Sequence, residues 1–338
     1  MAFQFQVDLK KNLSPLSPTA LNPEKLYDLL IVGGGPAGLN AALYARRKGL
    51  DIAVLTVRKG GQLLDTSSVD NYLGISLQTG EKLAEEFLQH VEALHVPILE
   101  DAEVAAYSSL DGVHYLTLLS GVTYQAKAVI IATGSKPRHL NIPGEDRFAG
   151  KGVAYCAICD APLFKGKDVL IAGGGNSAVE SALDLAKVAH HVQLIHRSQF
   201  RADKILVDKL YQEEKIAIRL ETEILEVLGD SALRAVKVRD KATGKEEEIT
   251  ADGLFIEIGH IPNLGPFHQV LQLNAQGEIL VDEKNRTNLP GVFAAGDVTQ
   301  IPYKQIILAA SDGAKAALAA NEYLNTWKPH AAAPSTTK

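Results

Sequence analysis

Cysteine is nearly absent from this chain: 338 residues hold two, Cys156 and Cys159. A disulfide scaffold is therefore excluded, and a usage this sparse suits a reducing cytosol. A closed zinc site needs about four nitrogen or sulfur ligands, and no second cysteine pair completes one, so no metal is expected. No apolar run approaches the roughly 20 residues of a membrane span, and the N-terminus lacks a charged-then-apolar leader pattern. Basic excess is missing too; the formal net charge of -6 gives no electrostatic footprint for nucleic acid. The expectation is a soluble, cytoplasmic protein with neither membrane nor nucleic acid as a partner. At this length it holds about two domains, each able to bury its own core.

The two cysteines are placed with purpose: they stand two residues apart in Tyr155-Cys156-Ala157-Ile158-Cys159-Asp160. Thiols at that spacing close into a disulfide and reopen as a dithiol, storing two electrons. Taken alone, the pair is also compatible with two buried thiols acting as small hydrophobes. A static cross-link is the weaker alternative, because so short a loop restrains little chain entropy. The neighbouring sequence decides between them.

Residues 1 to about 26 carry Pro15, Pro18 and Pro23 without a sustained period, and read as an extended arm. Asp28 to Val32 is then a short buried strand, and Gly33-Gly34-Gly35-Pro36-Ala37-Gly38 turns it into a helix reaching about Lys48. Ile52 to Leu55 supplies a second parallel strand. This strand, glycine turn, helix, strand context makes the glycine pattern a dinucleotide fingerprint. Gly33 serves the tight turn, Gly35 the approach of a pyrophosphate, and Gly38 the close packing of helix on strand. The amides at the helix start face the phosphates.

Gly60-Gly61-Gln62 and Asp70-Asn71-Tyr72 read as loops, and Glu81 to Leu94 as an amphipathic helix with Leu83, Phe87, Leu88, Val91 and Leu94 on its apolar face. Strand-like segments from 96 to 132 end in Ala132-Thr133-Gly134, where the glycine suggests a close approach by a ligand or by the first turn. A second unit of the same design begins at Asp168, with Gly173, Gly175 and Ala178 at the fingerprint positions and Asn176 and Ser177 between them. Its helix runs to about Ala189 and its strand from Val192 to Ile195. Two fingerprints in one chain imply two dinucleotides.

The end of the second strand in each unit assigns them. An acidic residue there binds a ribose 2'-hydroxyl, whereas arginine pairs with a 2'-phosphate. In the second unit this position is His196, followed by Arg197 and, further on, Arg201, so NADPH is assigned there. The same count in the first unit reaches Thr56, neither acid nor arginine, and FAD falls there by elimination. Further on, Asp240 to Glu248 is a charged turn region, Gly253 to His260 a strand into a loop, and Ile261-Pro262-Asn263 a crossover. A strand from Gly291 ends in Gly296-Asp297, a helix runs from about Lys304 to Leu324, and an Ala/Pro/Ser/Thr tail follows.

With these motifs in register from Tyr27 to about Tyr323, the chain resembles the low-molecular-weight, bacterial-type thioredoxin reductases. Ile301 to Ile307 and Pro162 to Gly166 are more similar to the reductase half of the alkyl hydroperoxide reductase flavoprotein. The resemblance implies an α/β fold of two Rossmann-like dinucleotide-binding domains, the NADPH domain inserted into the FAD domain. Their expected spans are 27-137 with 263-326 for FAD and 138-262 for NADPH and the redox pair, with an arm over 1-26 and a flexible tail over 327-338. It implies that Asp297 helps bind the flavin, that Gln62, Asn71, Gln305 and Ile306 lie near it, and that the protein is a homodimer. It also implies that Cys159 faces the flavin, Cys156 attacks the substrate disulfide, and Asp160 acts as acid and base, with a helix-start capping role for Asp160 equally open. Hinges near Pro137 and Pro262 are expected, because one domain rotates against the other in this family. The activity implied is NADPH-dependent reduction of a thioredoxin or thioredoxin-like disulfide. A reductase of a peroxiredoxin or glutaredoxin-like protein, and a flavin-bound redox sensor without turnover, are the alternatives.

Overall fold

The computed structural model describes residues 21–66 and 69–328. Most of the expected arm, and the expected tail beyond Lys328, lie outside the described residues. The chain divides into two compact units, residues 1–135 with 262–338, and residues 136–261.

The first unit opens with strand β1 (Leu26–Val32), helix α1 (Pro36–Arg47) and strand β2 (Ile52–Leu55). Leu29 to Val32 are all buried, as a strand covered on both faces requires, and they pair in parallel with Ile52 to Leu55. Pro36 sits at the first helical position, where its missing N–H costs no hydrogen bond. A side chain at Gly38 would place its Cβ 1.9 Å from the Gly33 carbonyl oxygen, so only glycine lets α1 lie this close to the turn. Helix α2 (Gly80–Glu92) is capped by the Thr79 hydroxyl, which accepts from Lys82 N at 3.2 Å. Strands β3 (Ile98–Leu99), β4 (Val104–Leu110), β5 (Val113–Leu118) and β6 (Thr123–Ile131) extend the sheet in the order β3-β2-β1-β6-β5-β4.

The chain leaves this unit through β7 (Ser135–Pro137). The second unit comprises α3 (Glu145–Phe148), β8 (Val153–Ala154), α4 (Ala157–Asp160), β9 (Asp168–Ala172), α5 (Asn176–Ala186), β10 (His191–Ile195), α6 (Lys204–Gln212) and β11 (Ile216–Arg219). It continues with β12 (Thr222–Gly229), β13 (Leu233–Asp240), β14 (Glu246–Thr250) and β15 (Gly253–Ile256). Five strands form a parallel sheet in the order β11-β10-β9-β15-β8, while β12, β13 and β14 make an antiparallel meander. The charged stretch expected to be a turn region is the β13–β14 hairpin; Asp240 Oδ1 accepts from both the amide and the hydroxyl of Thr243.

The chain returns through β16 (His260–Pro262), then adds β17 (Val292–Ala294) and α7 (Ile306–Thr326) to the first unit. Strand β6 changes partner along its length: Thr123 to Ala126 pair with β5, Val129 to Ile131 with β17. Helix α7 starts at Ile306, two residues after the expected Lys304, because Gln305 is extended and the Lys304 ammonium is spent on the Thr299 and Ile301 carbonyls. Trp327, expected to begin the flexible tail, is anchored: its indole N–H donates to the Gly112 carbonyl at 3.0 Å.

In the first unit, alanines of α1 (Ala41, Ala42, Ala45) and α7 (Ala316, Ala317, Ala320) share one core on one face of the sheet, and Tyr27, Leu30, Leu116 and Phe267 lie in the core of the other. In the second unit α5 packs Val179, Ala182 and Leu185 against β9, β10 and Phe255. Phe255 is fully buried, with the Phe164 ring edge-on at 4.9 Å. Phe255→Ala is expected to destabilise this unit by about 3–5 kcal/mol, seen as a lower unfolding temperature of the transition that carries near-ultraviolet signals of this unit.

Candidate active site and its nucleotide cradles

The first glycine turn is pressed against the 132–134 segment. Gly33 is left-handed at φ +118°, and a Cβ there would fall 2.1 Å from the Ala132 carbonyl oxygen. Gly35 precedes α1 with no side chain capping the helix, and the first turn holds no acid. The amides at this end are thus free of side-chain acceptors. Gly61 lies opposite, its Cα 3.9 Å from where a Gly35 Cβ would be. Gly61 to Asp65 form a 3-10 turn where a loop was expected, because Leu63 is buried against Val69, Leu83 and Ala84.

Gln62 joins two further expected residues: its amide stands beside Gly134 and hydrogen-bonds the Asp297 carboxyl. Burial pushes that carboxyl up, opposed by the Lys304 charge and the Gln62 bond. Gly296 abuts Ala37, Asn71 Nδ2 donates to Gln305 Oε1 at 3.2 Å, and Ile306 packs with Leu63 and Leu83. Thr133 is tied to Asn263, its hydroxyl donating to that carbonyl. Thr56, the residue the count reaches in the first unit, donates its hydroxyl to the Arg58 carbonyl at 3.0 Å.

In the second unit, Gly175 precedes α5 in the same way, with no side-chain cap and no acid in the first turn. Nothing lies within 4 Å of a Cβ built on it, so the approach to these amides is open. Ala178 is buried beneath the turn and Ser177 is exposed. Asn176 is committed to the protein: it donates to Asp203 Oδ2 at 2.9 Å and accepts from Asp203 N at 2.8 Å. His196 is buried against Gly174, and burial, with the Arg201 and Arg197 charges, lowers its pKa. Arg197 and Arg201 are exposed, and Arg201 N donates to the Gly174 carbonyl at 2.8 Å. A third cation, Lys241, reaches the Arg197 carbonyl at 3.0 Å. Nothing in the sequence singles it out, as it sits in a turn with five other charged residues within nine positions.

Cys156 and Cys159 form a disulfide with Cα atoms 5.3 Å apart. Cys156 caps α4, its Sγ accepting from Cys159 N at 3.2 Å. Both are half-buried, while Ile158 between them is 58% exposed. Asp160 ends α4, and its carboxyl caps no helix; the expected capping role is therefore not what it does here. Burial raises that carboxyl to about 6. A residue missed in the sequence stands on the other side: Glu257 Oε1 accepts from Ala157 N at 3.1 Å and bonds the buried Ser181. Burial raises Glu257 to about 7, against the pull of those two bonds. The available signal was an acid directly after the apolar strand Gly253–Ile256.

Residues 27–317 match the family described as pyridine nucleotide-disulphide oxidoreductase. The chain belongs to this family. It is 44% identical over 308 residues to an alkyl hydroperoxide reductase protein of Pseudomonas putida, covering 90% of this chain and 59% of that protein. The corresponding Escherichia coli (strain K12) protein is 43% identical over 309 residues, with the same two shares covered. The chain thus spans less than two thirds of the length of these relatives. Among solved structures, a thioredoxin reductase from Streptococcus pyogenes MGAS5005 is similar at TM-score 0.84 and 36% identity, covering 89% of this chain and 99% of that one. One from Giardia duodenalis is similar at TM-score 0.84 and 33% identity, covering 89% and 100%. The fold is that of the two-domain, Rossmann-type flavoproteins.

The cofactors of the family are FAD and a pyridine nucleotide. The residues present fit them: two uncapped helix starts, each following a glycine turn, offer amides for a pyrophosphate. Among the described residues no helix is long and apolar enough to cross a membrane, and no group of His, Cys, Asp or Glu could hold a metal.

Proposed function

We propose that this chain is an FAD-dependent reductase carrying electrons from NADPH to a thioredoxin or thioredoxin-like protein disulfide. The observation that carries this is the Cys156–Cys159 disulfide on a short helix, with the raised Asp160 carboxyl beside it, in the unit that holds the second nucleotide turn. In this reading the first unit holds FAD on Gly33 to Gly38, Gly61, Gln62, Asn71, 132–134, Asp297, Gln305 and Ile306, and the second holds the pyridine nucleotide on Gly173 to Ala178, His196, Arg197 and Arg201. When bound, the two cofactors supply hydride transfer and deliver two electrons to the pair.

The chain's own residues do the rest. Reducing the disulfide takes two electrons and two protons and yields two thiols. Cys156 as thiolate attacks one sulfur of the external disulfide, forming a mixed disulfide and releasing the other sulfur as a thiolate. Cys159 then attacks Cys156, restoring the intramolecular bond and expelling the second substrate sulfur. Asp160, protonated below about pH 6, gives a proton to a leaving thiolate. Exposed Ile158 and Leu163 offer apolar contact to a protein substrate beside the sulfurs.

A peroxiredoxin as the electron acceptor is the second reading, favoured by the 44% identity to an alkyl hydroperoxide reductase protein. Matched assays with oxidised thioredoxin and oxidised peroxiredoxin separate the two; the preferred acceptor is the one with the higher kcat/KM. Nucleotide preference is tested at Arg197. A charge-assisted hydrogen bond contributes about 1.5–3 kcal/mol, so Arg197→Ala is expected to raise the KM for NADPH by about tenfold or more and leave NADH nearly unchanged. An equal loss for both nucleotides would show that Arg197 does not hold the 2'-phosphate.

A further inference from the structure

Glu257 is separated from the cysteines by about a hundred residues, yet its carboxyl closes on their helix. Cys156 Sγ takes the Cys159 amide and Glu257 Oε1 takes the Ala157 amide, so two of the N–H groups at the start of α4 are divided between a sulfur and a carboxyl. The carboxyl is therefore one peptide unit from Cys156. Among the described residues Glu257 forms no ion pair. Its partners are the Ala157 amide and the Ser181 hydroxyl of α5, and the one acid on α4 itself is Asp160. No cation in this group offsets it.

We propose that Glu257 is a positioning residue whose negative charge sets the reduction potential of the Cys156–Cys159 pair, keeping the dithiol strongly reducing. The inference rests on that pair being redox-active. A carboxylate beside a thiolate raises the thiol's pKa and destabilises the reduced form, whereas stabilising a thiolate makes a disulfide more oxidising. It also removes the Ala157 amide as a donor to a Cys156 thiolate. Burial holds the carboxyl near 7, so at pH 8 it is mainly charged.

The test uses the FAD-loaded full chain, equilibrated without oxygen at pH 8 in dithiothreitol redox buffers, trapped by alkylation and counted by mass. Glu257→Gln keeps the acceptor for Ala157 and removes the charge. It is expected to shift the dithiol/disulfide equilibrium about tenfold toward dithiol, close to 30 mV for a two-electron couple. Ser181→Ala removes the hydroxyl that favours the charged carboxyl, and is expected to shift the equilibrium in the same direction by less. If Glu257→Gln does not fold, Ser181→Ala decides. A midpoint equal to that of the unsubstituted protein, or a shift toward disulfide, overturns the inference. A pair that fails to cycle in the unsubstituted protein would instead sink the proposed function.

Discussion

Cys159→Ser is expected to lower protein-disulfide reduction by a factor on the order of 10³ or more, approaching complete loss, since it removes one of two nucleophiles that act as a unit. A serine hydroxyl cannot close the intramolecular bond that expels the second substrate sulfur. Cys156 remains able to attack, and its amide partner, Cys159 N, is a backbone group that serine retains. The variant should therefore stall as a mixed disulfide with its substrate, visible as a covalent adduct that reducing agent releases. NADPH should still bleach the flavin, because neither glycine turn involves the sulfur. Surviving reductase activity would show that the electrons leave by another route.

Asp160→Asn has the second largest expected effect. A positioned acid contributes about 10²–10⁴-fold, so kcat should fall within that range while KM for the protein substrate changes little. The pH dependence carries the sharper signature. With its carboxyl raised to about 6 by burial, the protonated and proton-donating form dominates below that pH and is lost as pH rises through it. The unsubstituted protein should show a limb of its kcat profile falling above about 6, and Asp160→Asn should lack it. A variant that keeps that limb would move the acid elsewhere, with Glu257, raised to about 7, as the first candidate.

Local patterns were legible in the sequence wherever the physics was local. The strands Ile52–Leu55 and Asp168–Ala172 lie where their apolar runs and flanking glycines place them, and the glycine turns precede helices as their spacing requires. The larger misses are tertiary, at Glu257 and at Leu63. Glu257 reaches Ala157 only because β15 lies beside β9 and β8 in the parallel sheet, a juxtaposition that no residue near the cysteines encodes. The Gly61–Asp65 turn tightens because Leu63 finds a hydrophobic cluster made by residues up to Ile306. The Thr56 hydroxyl is turned inward by a carbonyl two residues away, which the count from the first glycine does not reveal. Asp160 is of a residue type favoured at helix starts and does precede the 3-10 turn Ala161–Phe164, but its carboxyl makes no capping bond there.

The most direct test of the central claim mixes the purified FAD-loaded chain with NADPH and an oxidised thioredoxin-like protein, following nicotinamide absorbance and free thiols together. Steady nicotinamide oxidation, with one substrate disulfide opened for each nicotinamide consumed, is the expected result. Nicotinamide oxidation that leaves every candidate disulfide closed, with Cys156 and Cys159 still joined throughout, would contradict it.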